Sequence, residues 1–235
     1  DFCLSRGLGD VYKRQITRIA CPATSAASGC TALPATSSAS IRGKNHRASP
    51  LPTTAGRIAD PYVCIAVQST LQAKYWNNPT GWAEIVRFLK DSGYRVICID
   101  LKSTHGKGLV WTQTPPGAED QTGDQPLIER ARWLKHAEFF IGLSSGLSWL
   151  AWSMRTPVVM ISGVTHPINE FTTPYRVINY HACNSCWNDP LSPFDRSDFL
   201  TCPRHKDTPR QFECSRLITA EQVKQTIRRI PGFGV

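Results

Sequence analysis

No stretch of this chain approaches the ~18 to 20 uninterrupted apolar residues that a helix needs to cross a bilayer. The N-terminus also lacks the basic region, apolar run and small-residue cleavage site of a secretory leader. The expectation is therefore no membrane insertion and a cytoplasmic location. Also missing is any Lys/Arg run interleaved with aromatics, although the formal net charge is +9. Residues 1–60 hold eight Lys/Arg against three Asp/Glu, and the remainder nineteen against fifteen, so the larger share of the excess sits in the first quarter. A basic patch for nucleic acid is not expected, and no nucleic-acid partner is assigned. Cysteine is not scarce, at nine residues. Without an export signal, reduced thiols in core or metal-binding roles outweigh a disulfide framework.

Large aliphatic and aromatic residues are nearly absent from residues 16–56, which are rich in Ser, Thr, Ala and Pro and show no sustained period. Such a stretch cannot bury a core and reads as disordered. Residues 1–15, DFCLSRGLGDVYKRQ, resemble translated sequencing-adapter sequence. Residues 1–56 are accordingly expected to be disordered or artefactual, with any native gene continuing upstream as something else.

From residue 57 the texture changes. PYVCIAV, RVICID, EFFIGL and PVVMIS are apolar throughout, with GLVWTQ a shorter candidate strand and RVINY another. Between them TGWAEIVRFLKDSGY, QPLIERARWLKHA and SGLSWLAWSMR carry helical signals, with Thr80 placed to cap the first and Gly93 to stop it. Pro126 suits the first turn of the second helix. Strands that are apolar on both faces and alternate with helices make a parallel sheet covered on both sides. The fold class is thus α/β: a Rossmann-like domain over 57–180, a cysteine-rich segment over 181–216, and a terminal helix over 217–235 whose Thr219 and Gln222 form a capping-box pair.

In an open parallel sheet the ligand lies beyond the carboxyl ends of the strands, so the chemistry belongs in the post-strand loops. QSTLQAKYW offers Ser69, Thr70 and Lys74, two hydroxyls and an ammonium suited to a diphosphate. A solvated loop with a snorkelling lysine explains the same residues as well. GLSSGLS puts Ser144, Ser145, Gly146 and Leu147 at a helix entrance, where free amides favour an anion; it is not the dinucleotide fingerprint, and it follows the wrong strand for one. Glu119 could accept from ribose hydroxyls, though alone it reads as a surface carboxylate. Thr165, His166 and Pro167 follow the fourth strand, and a lone His is more often a structural hydrogen-bonder than a base.

The cysteines Cys183-x2-Cys186-x15-Cys202-x11-Cys214 lie in some thirty turn-rich residues with little core of their own. A tetrahedral thiolate site is a way of holding such a segment together, which favours metal over unbound thiols. A thioredoxin-type pair is disfavoured, because Cys183-x-x-Cys186 does not open a helix after the first strand, while disulfides remain open for an oxidised sample. Zinc and iron both suit four thiolates. His181 and His205 read as neighbours of the site rather than ligands. Cys64 and Cys98 read as core; Cys3, Cys21 and Cys30 fall in the first segment.

Taken together the loops resemble the GT-B heptosyltransferases that use ADP-heptose, in their C-terminal, donor-binding half. Ser69-Thr70-x-x-x-Lys74-x-Trp76, Gly117-Ala118-Glu119, Gly142-Leu143-Ser144-Ser145-Gly146-Leu147-Ser148 and Gly163-Val164-Thr165-His166-Pro167 carry that resemblance. A closer one, from about Arg57 to Phe233, is to the bacterial autotransporter O-heptosyltransferases. It rests on THPINEFTTPYRVINYHACNSCWND, then CPRH and TPRQFEC. Ser144 stands where lipopolysaccharide heptosyltransferases usually carry Asp, which speaks against a lipopolysaccharide acceptor. The resemblance implies transfer of heptose from ADP-heptose to serine hydroxyls of autotransporter adhesin passenger domains. It also implies iron on the four cysteines and a homo-oligomer, a dodecamer in characterised relatives. The catalytic base, an Asp, is implied to lie in an N-terminal half that Asp1 and Asp10 do not supply, so the chain by itself is expected to bind donor and to transfer slowly or not at all. Lys74 and the amides near Ser145 would stabilise the departing ADP without a metal, leaving the cysteine site structural. Two other readings stay open: a lipopolysaccharide heptosyltransferase, and a non-catalytic metal-finger assembly module scaffolded by the α/β half.

Overall fold

A computed structural model of the chain describes residues 60–234, so the expectations for residues 1–56 lie outside the described residues. The first strand, β1 (Tyr62–Ile65), is buried along its whole length. Helix α1 (Gly81–Asp91) then buries Trp82, Ile85, Val86 and Leu89 on one stripe, and β2 (Arg95–Cys98) follows. Gly93, at φ +86°, makes the left-handed exit that a side chain would resist. Thr80 does not cap α1 with its side chain. Asn78 does so instead, its Oδ1 accepting the Thr80 and Gly81 N–H groups at 3.1 and 2.9 Å.

GLVWTQ does form a strand, but outside the main sheet. β3 (Thr104–Lys107) and β4 (Val110–Gln113) form an antiparallel hairpin apart from the main sheet. Alternating exposure along β4 explains why: a strand wet on every second residue cannot sit between two helical layers. The chain continues through β5 (Glu119–Asp120), α2 (Leu127–His136), β6 (Phe140–Leu143), α3 (Gly146–Ser153), β7 (Val158–Ile161) and β8 (Arg176–Val177). It closes with α4 (Glu213–Arg216) and α5 (Ala220–Ile227).

The main sheet has the order β5-β2-β1-β6-β7-β8, with every pairing parallel. That is a doubly wound arrangement whose strand order reverses between β1 and β6, and such a reversal opens a crevice at the carboxyl ends. Alternate residues of each strand feed opposite faces, which accounts for the unbroken apolar runs. Val63 and Ile65 join Ile85, Leu89, Val223 and Ile227 under α1 and α5. Cys64 and Phe140 join Ala131, Leu134, Leu150 and Ala151 under α2 and α3. Cys64 and Cys98 are fully buried strand residues, in the core role the sequence indicates.

Between β8 and α5 runs the cysteine-rich segment, with both flanks docked on the sheet. β8 pairs with β7, and α5 packs against α1, β7 and β8. The α5 capping box is present: Thr219 Oγ1 accepts the Gln222 N–H and Gln222 accepts the Thr219 N–H. Among the described residues no helix is long and apolar enough to cross a membrane.

Candidate functional site

The loop after β1 is fixed from beneath by Asp100, at the end of the apolar strand RVICID. Asp100 is 2% exposed, and its carboxylate accepts the Val67 N–H at 2.7 Å and the Gln68 N–H at 3.3 Å. Burial raises its pKa to about 6, against the opposing pull of those amides, the Cys98 thiol and the Arg130 guanidinium. Arg130, itself buried, donates to the carbonyls of Asp100, Gln121 and Gly123. Further along, Tyr75 Oη donates to the Ser69 carbonyl and meets His105 Nδ1 of the hairpin at 2.6 Å. Trp76 Nε1 donates to the Ile218 carbonyl at 2.9 Å. Between these anchors a short 3-10 turn, Gln72–Lys74, presents Lys74. Ser69 is half-buried and Thr70 exposed.

At the carboxyl end of the neighbouring strand β6, Ser145 is extended and precedes α3 without capping it by its side chain. Its Oγ is buried and has no hydrogen-bond partner. Ser148 turns inward, donating to the Leu143 carbonyl at 2.5 Å, and Leu147 is buried. The first amides of α3 therefore stand at the crevice with the positive end of the helix dipole. One strand further, Ser162 Oγ ties down the loop by donating to the Thr165 carbonyl at 3.1 Å. Thr165 is 5% exposed, and its own Oγ1 has no partner. Two buried hydroxyls without partners at adjacent strand ends are expensive unless a ligand completes them.

His166 is exposed, and its Nδ1 accepts the Ile168 N–H at 3.1 Å, capping the turn Pro167–Asn169. That is the structural hydrogen-bonder the sequence favours over a base. Glu119 is not in a post-strand loop. It lies on the edge strand β5, and its carboxylate makes a bidentate pair with Arg95, at 2.7 and 2.6 Å. The Arg95 guanidinium holds that carboxyl below the ordinary range. Glu119 thus belongs to the edge strand rather than to the loops that carry Ser145, Thr165 and Lys74, and its carboxylate already has Arg95 as a partner.

The cysteine segment roofs the same end of the sheet. The Ser185 and Trp187 N–H groups donate to the Gly163 and Val164 carbonyls at 2.8 and 2.9 Å, and Cys186 packs with Ala73 and Val164. A Cβ at Gly163 would meet Cys214 Sγ at 3.0 Å, so glycine permits this closeness. Lys74 Nζ sits 4.3 Å from the centroid of the Trp187 ring. Cys186, Cys202 and Cys214 are buried and Cys183 half-buried, all as free thiols. Burial first, then the charge that Cys183, Cys202 and Cys186 would carry, pushes the Cys214 thiol up. The Cys183 thiol is raised to about 12 by burial and by Cys186, Glu213 and Cys202. Neighbouring thiols thus oppose ionisation of Cys183 and Cys214, which a cation beside them would relieve.

Sequence reasoning missed Glu213. It accepts from Arg210 at 2.8 and 2.6 Å and from the Cys183 N–H at 3.3 Å, and lies 3.7 Å from His205 Nε2. Cys183, His205 and Glu213 offer ligand atoms within 4.8 Å of one another. Glu213 is nonetheless occupied, its carboxyl lowered to about 2 mainly by Arg210. Its spacing from Arg210, three residues apart beside a cysteine, was the available signal.

Residues 20–193 match the family described as Glycosyltransferase family 9 (heptosyltransferase), a match that begins within the stretch expected to be disordered. The chain is 60% identical over 177 residues to the autotransporter heptosyltransferase Aah of Escherichia coli, covering 75% of this chain and 45% of that protein. It is 61% identical over 173 residues to the autotransporter heptosyltransferase BAHTCr of Citrobacter rodentium, covering 74% of this chain and 42% of that one. Among solved structures it is similar to the dodecameric iron-containing heptosyltransferase TibC in complex with ADP-D-beta-D-heptose, with 57% identity, a TM-score of 0.75 and coverage of 79% and 49% of the two chains. That protein is from enterotoxigenic E. coli. The chain spans about half the length of the curated relatives it matches.

Proposed function

This chain belongs to glycosyltransferase family 9, and from that premise we propose that it is the donor-binding part of a protein O-heptosyltransferase that takes ADP-heptose. The observation that carries the reading is the pair of partnerless buried hydroxyls, Ser145 Oγ and Thr165 Oγ1, at the crevice where the strand order reverses. Ser69, Thr70 and Lys74 come from the adjacent β1 loop, and the diphosphate sits among Lys74, these hydroxyls and the first amides of α3. Ser144, Gly146, Leu147, His166 and Pro167 shape the sugar side. Glu119 is left out of this contact set because Arg95 already holds it.

In the full reaction a serine hydroxyl of an autotransporter passenger domain attacks the anomeric carbon, its proton goes to a carboxylate base, and the bond to ADP breaks. Lys74 and the α3 amides take up the charge gathering on the leaving diphosphate. The base belongs to residues outside those described. Titration calorimetry with ADP-heptose tests the donor site: saturable binding that Lys74→Ala weakens at least tenfold is expected, and a folded protein that binds none sinks the reading.

Cys183, Cys186, Cys202 and Cys214 hold one iron ion in this proposal. The donor set is four soft thiols, none in a disulfide, in a segment whose apolar cluster is small; among the described residues the ligand atoms within 4.8 Å of one another are those of Cys183, His205 and Glu213, so a shared ion would have to draw the four sulfurs together. The metal supplies a cross-link that stands in for a core. A homo-oligomer in the cytoplasm completes the reading. Metal analysis of the purified protein, expected at one iron per chain, and its mass in solution are the checks; zinc in place of iron would leave the fold argument standing and remove the iron assignment.

A further inference from the structure

We propose that Trp187 is a positioning residue that holds the Lys74 ammonium at the crevice, so that the cysteine segment sets diphosphate affinity through one indole. The inference rests on the donor-site reading above. Lys74 carries its charge on a flexible four-carbon stem, borne at the end of a short 3-10 turn. The face of the Trp187 ring lies 4.3 Å from Nζ. An aromatic face attracts an ammonium through its quadrupole and, unlike a carboxylate, does not neutralise it. This contact places the cation without setting a negative charge against it.

Trp187 is itself braced. Phe194 packs edge-on at 4.5 Å between centroids, and the Arg196 guanidinium lies 5.5 Å from the ring. Its backbone N–H is tied to the Val164 carbonyl at 2.9 Å, next to Thr165 with its partnerless hydroxyl. The preceding residue, Cys186, is buried against Ala73, the neighbour of Lys74. The indole thus spans from the β7 loop to the β1 loop, and a shift of the cysteine segment would be felt at Lys74.

The test uses the whole chain and ADP as the probe. Trp187→Phe, which keeps an aromatic face, should bind ADP nearly as the parent does. Trp187→Leu should bind roughly 5- to 30-fold more weakly. Trp187→Met serves as a second non-aromatic variant, so the comparison does not hang on one substitution's folding. In a Lys74→Met background the Leu change should cost nothing further; equal losses in both backgrounds, or no loss in either, would overturn the proposal. A second readout needs no nucleotide: labelling of Lys74 by an amine reagent, followed by mass spectrometry, should speed up in the Leu variant and not in the Phe variant. Unchanged labelling would also overturn it. A parent chain that binds no ADP defeats the donor-site reading, while the labelling arm still decides whether Trp187 places Lys74.

Discussion

The sheet and the segment over residues 181–216 are held together by different means. In the sheet, strand residues at or near zero exposure feed two apolar clusters, one on each face. In the segment, the described residues form two short helical turns and no strand, with a small cluster around Cys186. Ion pairs such as Lys206 with Asp198 and Arg210 with Glu213 are the more conspicuous contacts there. The Lys206 pair, with an exposed lysine, contributes little, typically ~0 to 1 kcal/mol, while Glu213 is itself buried. The sheet therefore stands on burial, while the segment carries little apolar burial of its own, and the iron proposed above for its cysteines would supply a cross-link there.

The largest effect expected from breaking this contrast is Cys214→Ser. Iron content should fall to a small fraction, and hydrogen exchange should lose protection across 181–216 while the amides of β1, β6 and β7 stay slow; uniform loss through the sheet would erase the distinction. Next comes Leu134→Ala in the α2 core, where Leu134 has no exposure. A cost of about 2–5 kcal/mol in chemical denaturation is expected, with metal content unchanged.

Asp100 comes third. Its folded pKa is raised by burial to about 6, so its contribution to stability is fully present below the unfolded aspartate value and is lost as pH rises through 6. Relative to Asp100→Asn, the parent should lose on the order of 3 kcal/mol between pH 4 and pH 7. Denaturation midpoints of both proteins at the two pH values measure this, and parallel pH profiles would contradict it. The smallest effect is Thr219→Ala, which removes the α5 capping box and should cost ~1 kcal/mol in thermal unfolding.

Much of the fold could be read from the sequence because its elements carry strong periods. Trp82, Ile85, Val86 and Leu89 mark α1, and VVMI is unmistakably a covered strand. The two-residue edge strands β5 and β8 carry too few residues for a period. VWTQ has strand composition, but its partner across the turn, THGK, is a poor strand by propensity. That partner meets the tip through Gly106, where a Cβ would lie 2.1 Å from the Val110 carbonyl oxygen.

At the candidate site, Lys74, Ser145 and Thr165 are the residues proposed from the rule that loops after parallel strands carry ligands. Asp100 escaped because a carboxylate at the end of an apolar strand looks like the start of a solvated loop. Trp187 escaped because a ring beside two cysteines reads as part of their motif, while its contact is with a lysine more than a hundred residues earlier. Glu119 was named from a motif, which carries no information about Arg95 on the neighbouring strand.

Because the cysteine segment leaves the sheet at β8 and returns at α5, its two ends are both held by the sheet layer. Closing a loop whose ends are free carries an entropic cost that grows with the logarithm of its length. Here docking of α5 against α1, β7 and β8 has already met that cost. If the proposed iron binds, the thiols have only to draw in a tethered ring of chain, so assembly should run in sequence, sheet first and cation second. Refolding without metal should then yield a sheet that waits, competent to capture the ion late.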